Sequence, residues 1–425
     1  METMYERCCK VMPHVANRST TLGIVEAKGC YLTTDDGRKI LDFASGVAVC
    51  NLGHNHDKVI EAAKKQMDKI VHCGHNVVYY EPYVKLAEKI VELTGGNTML
   101  YFSNSGAEVN DGALKLAKYV TERPAIIAFK NSFHGRTIAC TAITGSNAKY
   151  RKNYEGLIPS VYWAEYANCF RCPFGKKKES CGMECLKQFD DIFSKLIAPE
   201  TVAAMIVEPV QGEGGYIVPP VKFLQGLRKI CDENGILLIL DEIQTGFGRT
   251  GNMFAYQTMN VKPDIITLAK GIANGFPLSA LVAKRELMER WPAGAHGGTF
   301  GGNPVACAAS LATIAELEHF GVSNAKKMGE YTMGELKRLK DKYSVIGDVR
   351  GVGLMIGIEI VNEDGSPNPV LTKHLITEAL EKNVLFLSCG SDKNVLRLIA
   401  PTIVTEKEID KGISVIDEIL ESVDA

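Results

Sequence analysis

Six short apolar runs, separated by amphipathic stretches, constrain this chain more than any other feature. They are TMLYFSN (98–104), AIIAF (125–129), AAMIVEPV (203–210), ILLILDE (236–242), DIITLAK (264–270) and LSALVAK (278–284). Runs this short and this apolar read as strands buried on both faces. Between them lie helical patterns such as FLQGLRKICDENG, which ends on Gly235 as a helix C-terminus should. Alternating strands and helices need crossover connections, hence an α/β fold with a mostly parallel sheet. Ligands of such sheets sit beyond the carboxyl ends of the strands. Glu208, Asp241 and Lys270 all fall at such ends.

With 425 residues, the chain is long enough for about two domains of roughly 150 residues or more. The expected division is a large domain over 58–314 and a small α+β domain over 315–425. Residues 1–57 are expected to pack with the small domain. GCYLTTDDGRKILDFASG reads as a strand pair around Asp35–Asp36–Gly37, and VRGVGLMIGIEIV, NVLFLSCG and VLRLIAP as C-terminal strands. Thr405 and Glu408 have capping-box spacing before a closing helix. The net charge of −2 gives no bulk electrostatic case for nucleic acid or an anionic membrane. No apolar run nears the roughly 20 residues that span a bilayer, and METMYERCCKVMPHVANRST has no apolar core of a secretory signal. Thirteen cysteines, an odd number, suit a reducing compartment, and the expected location is the cytoplasm.

A lysine at a strand tip can be an ordinary surface residue, and an acid there a helix cap. Together on neighbouring strands they meet the needs of pyridoxal phosphate. A desolvated lysine has a lowered pKa and can attack an aldehyde. A carboxylate keeps the pyridine nitrogen protonated, so the ring accepts electrons released at the substrate's α-carbon. The turn Ser103–Gly106, running into a helix near Ala107, offers free N–H groups to a phosphate. In SFHGRT, Phe133 could stack on a flat ring, and Arg136 could clamp a carboxylate.

SNSGAEVNDGALKLAK, SFHGRT, IVEPVQGEGG, LILDEIQTGFGRTG, ITLAKGIANGFPLSA and GGTFGGNPVACAAS follow one another in order. In that order and spacing the chain resembles the class III aminotransferases, pyridoxal-phosphate enzymes of fold type I, over nearly its whole length. The resemblance implies Lys270 as the Schiff-base lysine and proton shuttle, and Asp241 as partner of the pyridinium. It implies Gln244 on the ring hydroxyl, Phe133 on the ring face, and the amides of Gly106 and Ala107 on the phosphate. Thr299 would reach the phosphate in the other subunit, which implies a homodimer. In the branch closest to 4-aminobutyrate and acetylornithine aminotransferases, Arg136 would bind the carboxylate far from the reacting amine. Arg397 would bind the α-carboxylate of 2-oxoglutarate or glutamate, Glu208 would neutralise Arg397 when the donor lacks that group, and Val47 would form an apolar wall. The implied activity is a ping-pong ω-aminotransferase moving an amine from 4-aminobutyrate or a similar donor to 2-oxoglutarate. Ornithine and acetylornithine are alternative donors, and an amino-acid racemase or epimerase is an alternative on the same scaffold. One departure stands out: Gly112 lies inside the helix, where it costs about 1 kcal/mol against alanine.

The insert at 165–186 contains CFRCPFGKKKESCGMEC. Its Cys169, Cys172, Cys181 and Cys185 have spacing suited to structural zinc or an iron–sulfur cluster, or are four free thiols on a loop. His54 and His56 lack a nearby acid cluster with ligand logic and are expected to be loop or helix-start residues, while His134 is expected to shape its turn.

Overall fold

The computed structural model describes residues 2–15 and 18–424. Its centre is a sheet of seven strands: β1 (Thr98–Ser103), β2 (Ala125–Phe129), β3 (Val161–Ala164), β4 (Val202–Val207), β5 (Leu237–Asp241), β6 (Ile265–Leu268) and β7 (Ser279–Lys284). Their order across the sheet is β1-β7-β6-β5-β4-β2-β3. Strand β7 is antiparallel to both neighbours, and every other pairing is parallel. The reversal of β7 makes β1 parallel to β6, so β1, β2, β4, β5 and β6 all end on one edge.

The six apolar runs form six of these strands. The seventh, β3, is at the sheet edge and only Ala164 in it is buried, so VYWA carries no continuous apolar signal. Strand β4 stops at Val207, which leaves Glu208 in the loop beyond it.

A second body joins the two ends of the chain. Strands Tyr31–Thr34 and Lys39–Asp42 form the expected hairpin, and Lys39–Asp42 then pairs in parallel with Val384–Leu385. Cys30, Leu41 and Phe43 share one core with Ile356, Ile358, Leu396, Leu398 and Ile416. Strand Ile24–Lys28 precedes the hairpin; its largely exposed face gives no alternating apolar pattern. The helix Glu406–Asp424 opens on the expected capping box, with Thr405 N and Glu408 Oε2 2.9 Å apart.

The expected boundary near residue 315 falls inside continuous helix. Pro304–Glu316 runs through a π-helical turn, Leu317–Gly321, into Val322–Lys342. By length and composition alone this stretch is apolar enough to cross a membrane, but half of its most apolar window is buried in the fold. Val305, Ala306, Ala309 and Ile314 pack in a core with Phe102, Leu268 and Val282, which accounts for that apolarity.

Candidate active site

The chemistry gathers where the parallel strands end. Asp241 closes β5 and is buried. Its Oδ2 lies 2.7 Å from His134 Nδ1 and accepts a 2.9 Å bond from Asn110 Nδ2, while Oδ1 accepts from Ile243 N at 3.1 Å. Three partners from three elements fix the carboxylate, and lone-pair capacity remains for a further donor. His134 does more than shape its turn, because its imidazole orients Asp241. Asn110 was not anticipated. It lies one helical turn into Gly106–Thr121 and also donates to His134 O at 2.8 Å.

Lys270 follows β6 in the left-handed region, at φ 47°, a conformation costing about 1–3 kcal/mol in a non-glycine residue. Burial lowers its ammonium to about 8, although Asp241 and Glu208 oppose the shift; Arg397 lowers it further and Glu213 raises it. Lys270, Asp241, Glu208, Arg397 and Glu213 thus share one electrostatic environment. A neutral amine is the form that attacks a carbonyl. Capture of an added aldehyde by the apo-protein, followed by absorbance, should therefore speed up with rising pH and level off above about 8. A rate still climbing towards about 10, the ordinary lysine range, would contradict the desolvated setting of Lys270.

The helix Gly106–Thr121 aims its N-terminus at the same edge. Ser105 Oγ accepts from Glu108 N at 3.3 Å, and Glu108 Oε2 accepts from Asn104 N and Ser105 N at 2.7 and 2.8 Å. This capping box satisfies the flanking amides. Gly106 N and Ala107 N have no acceptor among the described residues and suit an anion. Gly112 has a packing role: a Cβ there would lie 3.1 Å from His296 Nε2.

Glu208 is buried, and burial pushes its carboxyl up to about 7 despite opposition from nearby His134. Its two oxygens accept from Phe133 N and Gly212 N, each at 2.9 Å, which ties two loops together. The expected pairing of Glu208 with Arg397 is corrected here. Arg397 Nη1 bonds instead to Glu213 Oε2 at 3.0 Å. Glu213 sits five residues later in the same VEPVQGEGG motif, on a turn where Gly215 takes φ 124°. Two glutamates in one motif left the choice open to geometry, and backbone amides had already occupied Glu208.

Gln244 Oε1 is buried with no hydrogen-bond partner, and a Cβ on Gly212 would meet the Gln244 amide at 2.7 Å. Val47 lies half exposed in a left-handed turn, with φ values of 47°, 62°, 64° and 62° over Ser45–Ala48. Its three non-glycine residues cost roughly 1–2 kcal/mol each. Ser45 Oγ to Ile399 O and Asn51 Nδ2 to Phe247 O tie this segment to both bodies of the fold. Arg136 is exposed, with its guanidinium over the rings of Phe133 and Tyr150. Thr299 is exposed in the loop before Pro304 and has no hydrogen bond to these groups among the described residues.

The expected metal centre is a second correction. Cys169, Cys172, Cys181 and Cys185 do line one small cavity with Pro173, Phe174, Met183 and Pro220. Yet no three His, Cys, Asp or Glu side chains among the described residues are arranged to hold a metal ion. Burial raises Cys169 and pushes Cys185 up to about 11, which favours the protonated thiol at those two positions. His54 also proves structural, with Nε2 2.8 Å from Asp42 Oδ2.

Pyridoxal phosphate fits the residues present: an amine whose ammonium burial lowers to about 8, a pinned carboxylate, two free helix-terminal amides and an unpartnered buried acceptor on Gln244. A family model described as aminotransferase class-III matches residues 13–420. The chain is 36% identical to a probable 4-aminobutyrate aminotransferase of Bacillus subtilis, over 95% of this chain and 93% of that one. It is 37% identical to an alanine/serine racemase of Pyrococcus horikoshii, over 92% of this chain and 83% of that one. An amine transaminase from an uncultivated Pseudomonas species, solved with pyridoxal phosphate bound, superposes with a TM-score of 0.90 at 30% identity, covering 96% of each chain.

Proposed function

From the premise that this chain belongs to the class-III aminotransferases, we propose that it is an ω-aminotransferase. It takes the amine of 4-aminobutyrate or a similar ω-amino acid and passes it to 2-oxoglutarate in two alternating half-reactions. The observation that carries this reading is the Arg397–Glu213 pair at 3.0 Å, close enough to Lys270 that both charges act on its amine. One pocket has to receive a donor with one carboxylate and an acceptor with two. A guanidinium that can exchange an internal carboxylate for a substrate carboxylate meets both needs without leaving a buried charge unpaired.

Pyridoxal phosphate, the cofactor of this family, supplies an electron-accepting ring that stabilises charge at the substrate's reacting carbon. The chain's residues do the rest. Gly106 N and Ala107 N bind the phosphate, and Asp241, held by His134 and Asn110, binds the ring nitrogen. Gln244 binds the ring hydroxyl and Phe133 covers the ring. Lys270 Nζ carries a proton to and from the reacting carbon. Arg136 binds the remote carboxylate, and Val47 narrows the pocket between. Thr299, exposed in a single chain, reaches the phosphate of a second copy in a homodimer. The proposed location is the cytoplasm.

The test is the visible band of the purified holoenzyme. Adding 4-aminobutyrate alone should bleach it, and 2-oxoglutarate should restore it. Bleaching by ornithine or acetylornithine but not by 4-aminobutyrate would move the donor within the same class. A racemase relative as similar as the aminotransferase one keeps a second reading in view. No bleaching by any of the three amines, with racemisation of free α-amino acids, would replace the proposal with that reading.

A further inference from the structure

Of the two arginines proposed to bind substrate carboxylates, Arg397 is held by Glu213 and Arg136 by no acid among the described residues. Arg136 makes no ion pair or hydrogen bond among the described residues. What surrounds it is aromatic. Its guanidinium carbon lies 5.5 Å from the centroid of Phe133 and 5.2 Å from that of Tyr150, and the two rings meet edge to face at 5.5 Å. Phe133 belongs to the motif that carries Arg136, but Tyr150 does not. It ends a 3₁₀ turn, Ala148–Tyr150, set by Asn147 Oδ1 accepting from Lys149 N at 3.0 Å. Lys149 Nζ also lies 5.0 Å from the Tyr150 centroid, so the ring bears two cations.

We propose that Tyr150 is a positioning residue that sets substrate specificity, forming with Phe133 a two-ring cage that holds Arg136 ready for the remote carboxylate. The proposal rests on the reading of Arg136 as that clamp. An acidic partner would hold the guanidinium through the same in-plane N–H groups that a substrate carboxylate needs. Contact with aromatic faces stabilises the cation while leaving the N–H fork free. The cage thus restricts a long, exposed side chain without competing with substrate, and part of the ordering cost of binding is met in advance.

The experiment compares Tyr150→Leu, Tyr150→Phe, Arg136→Gln and the Arg136→Gln/Tyr150→Leu double variant as holoenzymes with matched melting temperatures. Two quantities are measured: KM and kcat for 4-aminobutyrate, and the dissociation constant of glutarate, an unreactive dicarboxylate. Tyr150→Leu should raise KM and the glutarate constant about twofold to fivefold, the size of an exposed cation–π contact, with kcat unchanged within error. Tyr150→Phe keeps the ring and should restore wild-type binding. In the Arg136→Gln background the leucine change should have no further effect, since its action runs through the guanidinium. Additive effects in the double variant, or wild-type binding by Tyr150→Leu where Arg136→Gln weakens it, would overturn the cage. If Arg136→Gln itself leaves glutarate binding unchanged, the clamp reading fails instead.

Discussion

The Lys270→Ala holoprotein is expected to lose at least about a thousandfold in kcat, within the range attributed to a positioned acid–base group, while still binding pyridoxal phosphate. The two effects separate because different parts of the fold cause them. In the proposed site, phosphate affinity would come from Gly106 N and Ala107 N, and ring orientation from Asp241 with its His134 and Asn110 bonds. None of these depends on the lysine. Turnover needs an amine that gives up its proton more readily than an ordinary lysine and lies adjacent to the reacting carbon. Lys270, at about 8, is the lysine on this strand edge with a lowered ammonium. Arginine at this position would keep the charge but could not release a proton under these conditions, so Lys270→Arg should be equally inactive. Dialysis equilibrium for cofactor binding and single-turnover absorbance for the chemistry check the two halves independently. Substantial turnover by either variant would remove Lys270 from the chemistry.

The sequence makes the strand ends legible for a physical reason. A strand buried on both faces must be apolar throughout, so the first ionisable residue after it marks the sheet edge. That places Asp241, Glu208 and Lys270 on one edge without any coordinates. Side-chain pairing leaves no such trace. Glu208 and Glu213 are both glutamates of one glycine-rich motif, and only the loop's path shows that amides of Phe133 and Gly212 take the first and Arg397 the second. Asn110 reads as an ordinary helix residue until the helix is seen to cross behind Asp241. The cysteine insert misled in the opposite direction, since spacing suggested ligands, while the four thiols line one small cavity without any three ligand side chains among the described residues being arranged to hold a metal ion. The left-handed turn at Ser45–Ala48 was also hidden, because only one of its four residues is glycine.

The second large effect concerns the Arg397–Glu213 pair and should divide by half-reaction. Arg397 is largely buried, with 8% of its side chain exposed, whereas Glu213 is 33% exposed. The arginine is therefore the fixed charge, and the glutamate the partner able to turn towards water. In the proposed donor half-reaction 4-aminobutyrate brings no α-carboxylate, and Glu213 remains the only counter-charge among the described residues bonded to the guanidinium. Glu213→Gln keeps the shape but removes that charge. Leaving a buried cation uncompensated costs about 2 kcal/mol or more, so kcat/KM for the donor half should fall roughly thirtyfold. The acceptor half should be unchanged or faster, because the α-carboxylate of 2-oxoglutarate no longer has to displace an internal anion. Arg397→Met reverses the pattern. The acceptor half loses its α-carboxylate contact and should slow by a comparable factor, while the donor half loses less, since Glu213 can be solvated where it stands. Stopped-flow measurement of each half-reaction on each variant decides the matter. Equal losses in both halves for Glu213→Gln would make the pair a fixed structural bridge and remove the main support for alternation between a mono-acid donor and a diacid acceptor.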